Sequence, residues 1–233
     1  MTGVASGEFR LRVTYAKSGR LRWLSHLEVT RTLERGVRRA GLPYAVSRGF
    51  HPHMRIAFGP ALPVGTAGTG ECVDVWLVEY VPAPRALRAL GDALPEGLDV
   101  LAAHYVASGA PALSSGVLVG VYDVRIEGRE VTATQVQAAL EKVVAAGTLD
   151  VEHRRKTKVF DLARALPKEP SARDEGDEVV VDLTIRMGPE GSLRPDVLLG
   201  VALDGAGLIG AVTAVTRTDM LVESEEGTWT RPA

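Results

Sequence analysis

The 233-residue sequence has a single cysteine, Cys72. One thiol excludes internal disulfides, a cysteine-rich zinc site and a self-contained iron–sulfur cluster, which needs three or four thiolates. No run of about 18 apolar residues occurs, so no membrane span is expected. The opening MTGVASGEFR lacks the basic, apolar and small-residue order of a secretory leader, and a cytoplasmic protein is expected. A G-x-S-x-G elbow, a Walker sequence and an H-E-x-x-H pair are all missing. Negative charge is scarce in one place: residues 10–60 hold two acids, Glu28 and Glu34, against eleven Lys or Arg, a local charge of +9 in a chain of net −2.

Such a basic block suits a polyanion, most often nucleic acid, because neutralised phosphates release counterions. The alternative is a solvated basic face. The rest of the composition, 45% hydrophobic and 24% charged, is that of an ordinary globular protein of one or two domains.

FRLRVTY (9–15) alternates apolar and polar residues as a half-buried strand does. In SHLEVTRTLERGVRRAGLP (25–43), Ser25 and Glu28 form a capping-box pair, and Gly41 and Pro43 supply a stop, which predicts a helix. At 100° per residue Val29, Leu33, Val37 and Ala40 share one face, and Arg31, Arg35, Arg38 and Arg39 gather on the other. YAVS (44–47) and HMRIAF (53–58) read as strands joined through RGFHP, ECVDVWLVEYV (71–81) as a strand, PAPRALRALGDAL (82–94) as a helix and LDVLAAHYV (98–106) as a strand. This order predicts a ferredoxin-like split βαβ unit. Both helices would cover one sheet face, leaving Arg10, Arg12, His53 and Arg55 on an open one.

ASGAPALSSGV (107–117) reads as a linker. The pattern then recurs: strand VYDVRIEG, helix TATQVQAALEKVVAAG with a Thr132–Gln135 cap, strands LDVEHRRK, TKVFDL and EVVVDLTIRM, helix RPDVLLGVAL and strand AVTAVTRTDMLV. The fold expected is α+β, two tandem ferredoxin-like domains with antiparallel sheets. The domains are residues 1–107, which are basic, and 117–233, which carry an acidic tail. PKEPSARDEGDE (167–178) is expected as a solvated loop and ESEEGTWTRPA (223–233) as a frayed tail.

Candidate chemistry centres on SRGFHPH (47–53). His51 and His53, with His26, have the residue type for zinc, but they flank Pro52 with no carboxylate near, so no metal and no cofactor are expected. The same three histidines offer the acid–base groups of a metal-independent endoribonuclease. The residues expected to contact RNA or a partner are Arg10, Arg12, Arg31, Arg35, Arg38, Arg39, Arg48, Phe50, His51, His53 and Arg55, with Gly49 supplying a positive φ. The glycines of GTAGTGE (65–71) precede a strand rather than a helix, and a flexible loop is expected there instead of a phosphate site.

The run GRLRWLSHLEVTRTLERGVRRAGLPYAVSRGFHPHMRIAFGPALPVG, then GECVDVWL, TKVFDLARAL, GSLRPDVLL and VTRTDMLVE, resembles the radical-SAM-linked family of domains of unknown function. Met54 stands where that family usually places a proline. The resemblance implies a radical-SAM protein as partner, and Cys72 alone excludes the chain from being that catalyst. Paired ferredoxin-like units with basic faces also resemble, by fold, the CRISPR repeat-processing endoribonucleases. The function expected is a non-catalytic RNA-binding or substrate-presenting accessory in tRNA or rRNA modification. An endoribonuclease is the alternative, and a protein-interaction scaffold the third reading. No sequence signal sets an oligomeric state.

Overall fold

Phe9–Lys17 forms the first strand, β1, and both of its faces are closed: from Arg10 to Val13 every residue is buried. A computed structural model describes residues 8–107, 109–115, 117–153, 156–188, 191–224 and 226–232 of the chain. They divide into two compact units, residues 1–115 and 116–232. Of the sequence expectations, residues 1–7, Ser108 and Gly116 of the linker, and Arg154 and Arg155 of the LDVEHRRK strand lie outside the described residues.

In the first unit a 3-10 turn (Gly19–Trp23) follows β1, then α1 (His26–Arg39), β2 (Ile56–Phe58), β3 (Thr66–Leu77), α2 (Ala83–Ala93) and β4 (Leu98–Tyr105). β1 pairs antiparallel with β3 and β4, and β2 pairs antiparallel with β3. The Ser25 side chain accepts from the Glu28 amide and Glu28 reaches back to the Ser25 amide, closing the capping box that starts α1. Val29, Leu33 and Val37 of α1 and Ala86 and Leu90 of α2 pack on Leu11, Val13, Val73, Val75 and Leu77 of the sheet. Gly36 allows the close approach of the helices, since a Cβ there would collide with Leu94.

The second unit runs β5 (Val117–Gly128), α3 (Ala133–Ala145), β6 (Thr148–His153), β7 (Lys156–Asp161), α4 (Leu162–Ala165), β8 (Ser171–Glu175), β9 (Glu178–Met187), α5 (Pro195–Ala206), β10 (Gly210–Glu223) and β11 (Trp229–Thr230). Its sheet has β5 between β10 and β9, with β8 on the far side of β9, all antiparallel. β6 and β7 form a separate two-stranded ribbon. Thr132 and Gln135 close a second capping box, and Val136 and Leu140 of α3 join Leu198 and Leu199 of α5 over Val124, Ile126, Val181 and Leu183. The protein is thus a mixed α+β chain of antiparallel sheets. Among the described residues no helix is long and apolar enough to cross a membrane.

Four expectations are corrected. YAVS is no strand: Tyr44 and Val46 make isolated bridges to Leu77 and Met54, although backbone hydrogen bonds between residues 45–47 and 53–55 do close a hairpin. GTAGTGE is not a loop, because β3 already begins at Thr66. Within the expected loop 167–178, Ser171–Glu175 pairs with β9 as an edge strand whose charged side chains face water, and edge strands tolerate such polarity. In the expected frayed tail, Trp229 and Thr230 pair with Glu223 and Val222.

Candidate nucleic-acid interface

The cross-strand register decides which arginines are available. Arg12 lies opposite Asp74 and Arg10 opposite Trp76, so all four side chains fall on one sheet face. Asp74 is fully buried and accepts from both guanidinium groups, with Arg10 Nε and Nη2 at 2.8 and 2.6 Å and Arg12 Nε and Nη2 at 2.8 and 2.9 Å. Arg10 also donates to the carbonyls of Ala110 and Pro111 at 2.6 and 2.8 Å. The open basic face expected for Arg10 and Arg12 is therefore corrected. A buried guanidinium must have its charge and donors answered, and Asp74 with two carbonyls does so internally.

On α1 the expected arc is exposed: Arg31, Arg35, Arg38 and Arg39 all face solvent. Their partners are few. Glu34 reaches Arg38 at 3.5 Å, Arg35 donates to the Thr32 hydroxyl at 3.1 Å, and Glu28 is occupied by the cap, where the Ser25 hydroxyl holds its carboxyl below the usual range. Two of the four, Arg38 and Arg39, also answer the helix dipole at the last turn. From Arg31 to Arg39 the helix rises about 12 Å, a length over which an RNA or DNA duplex would carry roughly seven phosphates. Arg35 and Arg39 further line a cavity of about 280 Å³ with Leu21, Leu24, Thr32, Ala93 and Pro95.

From the end of α1 the chain passes directly into the hairpin. Tyr44, under the Arg38 guanidinium at 5.9 Å, leads to residues 45–55. The Ala45 amide donates to the Trp76 carbonyl, the Arg55 amide to Ala45 and the Ser47 amide to His53, at 2.7, 2.8 and 2.7 Å. Gly49 takes φ +153°, as expected of a turn glycine. Phe50 is fully exposed and packs on nothing, and Arg48, His51 and His53 are exposed beside it. Arg55 is half-buried, with its guanidinium carbon 5.0 Å from the Trp76 ring centre and that of Arg10 5.3 Å from the same centre, and it is ion-paired to Glu8.

The residues 10–195 match the family described as "Uncharacterized protein conserved in bacteria (DUF2344)". The chain belongs to the DUF2344 family. No curated protein matches it. Among solved structures, this DUF2344 chain is similar to a chain of a Cbf5-Nop10-Gar1 complex, with TM-score 0.50 and 12% identity over 90% of this chain and 48% of that one. It is also similar to a chain of the archaeal box H/ACA sRNP Nop10-Cbf5 complex, with TM-score 0.42 and 11% identity over 89% and 46%. A third match is an unknown protein from Galdieria sulphuraria, with TM-score 0.26 and 13% identity over 88% and 98%. The DUF2344 chain thus spans about half the length of the first two, and at such identities the likeness concerns fold alone.

The three candidate histidines of the DUF2344 chain are not gathered. His26, at the start of α1, meets the edge of Phe58 at 5.2 Å at the far end of β2, whereas His51 and His53 precede that strand. His26 borders a small cavity of about 10 Å³, room for one water, with Lys17, Glu71 and Cys72 in its wall. Burial pushes the Cys72 thiol up, away from the nucleophilic thiolate. Among the described residues no three His, Cys, Asp or Glu side chains are grouped to hold a metal ion. Asp74, Trp76, Tyr44 and Glu8 were not singled out from sequence. The alternation of ECVDVWLV contained the signal for two of them, since Asp74 and Trp76 occupy its polar-facing positions.

Proposed function

We propose that each unit is a ferredoxin-like split βαβ element, and that the chain is a non-catalytic RNA-binding, substrate-presenting accessory of a radical-SAM enzyme acting on tRNA or rRNA. The strand arrangement supports the first part: β1 lies between β4 and β3 in the first unit and β5 between β10 and β9 in the second, with helices packed on each sheet. The observation carrying the RNA reading is the α1 arc, four exposed arginines served by one loosely placed carboxylate and continuous in sequence with a hairpin bearing Arg48, a bare aromatic ring and two histidines. A structural role would not need the charges left unanswered, because like charges within one arc repel unless an anion meets them. The radical-SAM partner rests on the sequence resemblance of the run from Gly19 to Gly65.

RNA binding is tested by titrating a structured RNA with the intact protein across a salt series. The expected result is binding at low salt that weakens steeply, with log affinity linear in log salt. A flat salt dependence, or no binding at low salt, would overturn the reading. RNA that remains whole during long incubation in chelator agrees with an accessory role; cleavage that persists in chelator and stops on H26A or H51A/H53A favours the endoribonuclease. Recovery of a radical-SAM protein with the native chain from cell extract supports the partner, and repeated recovery without one removes it.

A further inference from the structure

Beside the hairpin lies an open cavity of about 540 Å³, lined by Glu8, Val46, Ser47, Arg48, Arg55 and Val78. Its volume is in the range of small-ligand sites, about 300–1,000 Å³. Its chemistry is divided. Val46 and Val78 are about half exposed, 51% and 49%, and give it an apolar surface, while Arg48 and Arg55 supply two cations. Arg55 is held over the Trp76 ring and paired with Glu8, so its guanidinium is pre-positioned rather than free to swing. Arg48 has no carboxylate partner among the described residues, and the single carboxylate at the cavity, Glu8, is engaged with Arg55. Two residues beyond Arg48, at the turn of the hairpin, Phe50 stands entirely in solvent.

An apolar patch, two cations and an adjacent bare aromatic ring are together complementary to a nucleotide whose base is not already stacked in a helix. We propose that the cavity and hairpin receive one unpaired nucleotide of an RNA strand, its base against Val46 and Val78 and its phosphate between Arg48 and Arg55, with Phe50 stacking on the adjoining base. The proposal rests on the RNA-binding reading and narrows it to RNA carrying a bulge, loop or end. Bases inside a duplex present no free face to an aromatic side chain, whereas splayed bases do. Glu8 occupies the position the phosphate would take at Arg55 and competes with it.

The test uses the intact protein and two RNAs, a stem with one bulged 2-aminopurine and the same stem fully paired, measured by fluorescence anisotropy and 2-aminopurine emission. The expected result is about tenfold or greater preference for the bulged stem with a change in 2-aminopurine emission on binding. F50A should bring the bulged stem down to the affinity of the paired one, and E8Q should strengthen binding of the bulged stem. Phe50 touches no core residue, so F50A reports on binding and not on folding. Equal affinity of the native protein for the two stems, or a preference that survives in both F50A and R48A/R55A, overturns the cavity assignment while leaving RNA binding standing. Failure to bind either stem at low salt overturns both.

Discussion

The two units, each an antiparallel sheet with helices packed on it, place their arginines differently. In the second unit, Arg125 meets Glu175 and Glu178 at 2.8 and 2.7 Å, Arg173 meets Asp182, Arg186 grips both Glu223 oxygens at 2.7 and 2.9 Å, and Arg231 meets Asp219. Its α3 carries no arginine at all. In the first unit Arg10 and Arg12 pass inward to Asp74, Arg55 of the hairpin pairs with Glu8, and of the four α1 arginines Arg38 has a carboxylate, Glu34, in reach while Arg31, Arg35 and Arg39 have none among the described residues. Arg125, Arg173, Arg186 and Arg231 are met by carboxylates at the surface whereas Arg31, Arg35 and Arg39 of α1 are not, a contrast that supports the RNA-binding proposal.

The largest effect should come from the inward pair. D74A strands two guanidinium groups in a site where neither is more than 8% exposed, and removal of one partner of a buried pair costs about 3–5 kcal/mol. Urea unfolding of the first unit, followed through Trp76 fluorescence, should show that loss. The matching surface change in the second unit, E178A, should cost less than about 1 kcal/mol. Equal losses would erase the distinction between internal and surface arginines.

Next in size is binding. R35E/R38E/R39E should lower RNA affinity by roughly a hundredfold, about 2.7 kcal/mol, and reduce the salt slope by about 2–3, as expected for three lost phosphate contacts. R125E/R173E/R186E makes the same charge change in the second unit and should leave the slope as it was. Circular dichroism checks that both chains are folded. If the second triple change weakens binding equally, net charge rather than the α1 arc is responsible.

S25A is a smaller perturbation, near 1 kcal/mol, because α1 loses the hydroxyl that caps its first turn. Thermal unfolding should show a loss of that order, and T132A should reproduce it at α3, where the same cap is built from Thr132 and Gln135. Here the units should agree, since capping is structural in both.

These caps were legible because their signal is local: S-x-x-E and T-x-x-Q lie within one turn, and the α1 arc follows from helical period alone. Asp74 was not, because its partners are 62 and 64 residues away and the pairing exists only once β1 and β3 are in register. The sequence showed that Arg10 and Arg12 share a strand face, but not that an acid waits on the facing strand. β8 was hidden for another reason. An edge strand with its side chains in water has no apolar alternation to reveal it, and SARDE reads as a loop until the backbone of β9 is there to pair with it. For the candidate site, a turn at SRGFHPH with Gly49 at positive φ was legible, but whether Phe50 packs or stands free was not, and the Arg55–Trp76 contact and the cavity depend on strands brought together from distant sequence.

The smallest effect concerns acid. Hydrogen bonding to Arg186 holds the Glu223 carboxyl below its ordinary range, and Arg125 does the same for Glu175. A carboxylate whose folded pKa is depressed contributes stability above its unfolded value, about 4.3, and loses that contribution as pH falls through this value toward the folded one. The second unit should therefore weaken as pH is lowered from about 5, by an amount that salt reduces because these pairs are at the surface. Trp229, paired with Glu223 across β10 and β11, is a local reporter of the change. E223Q should flatten the acid response at Trp229 and leave Trp76 unfolding unaltered. An acid response at Trp229 unchanged by E223Q would show that the Arg186–Glu223 pair contributes nothing to the acid dependence, and the contrast between the units would then rest on the buried Asp74 cluster and the α1 arc.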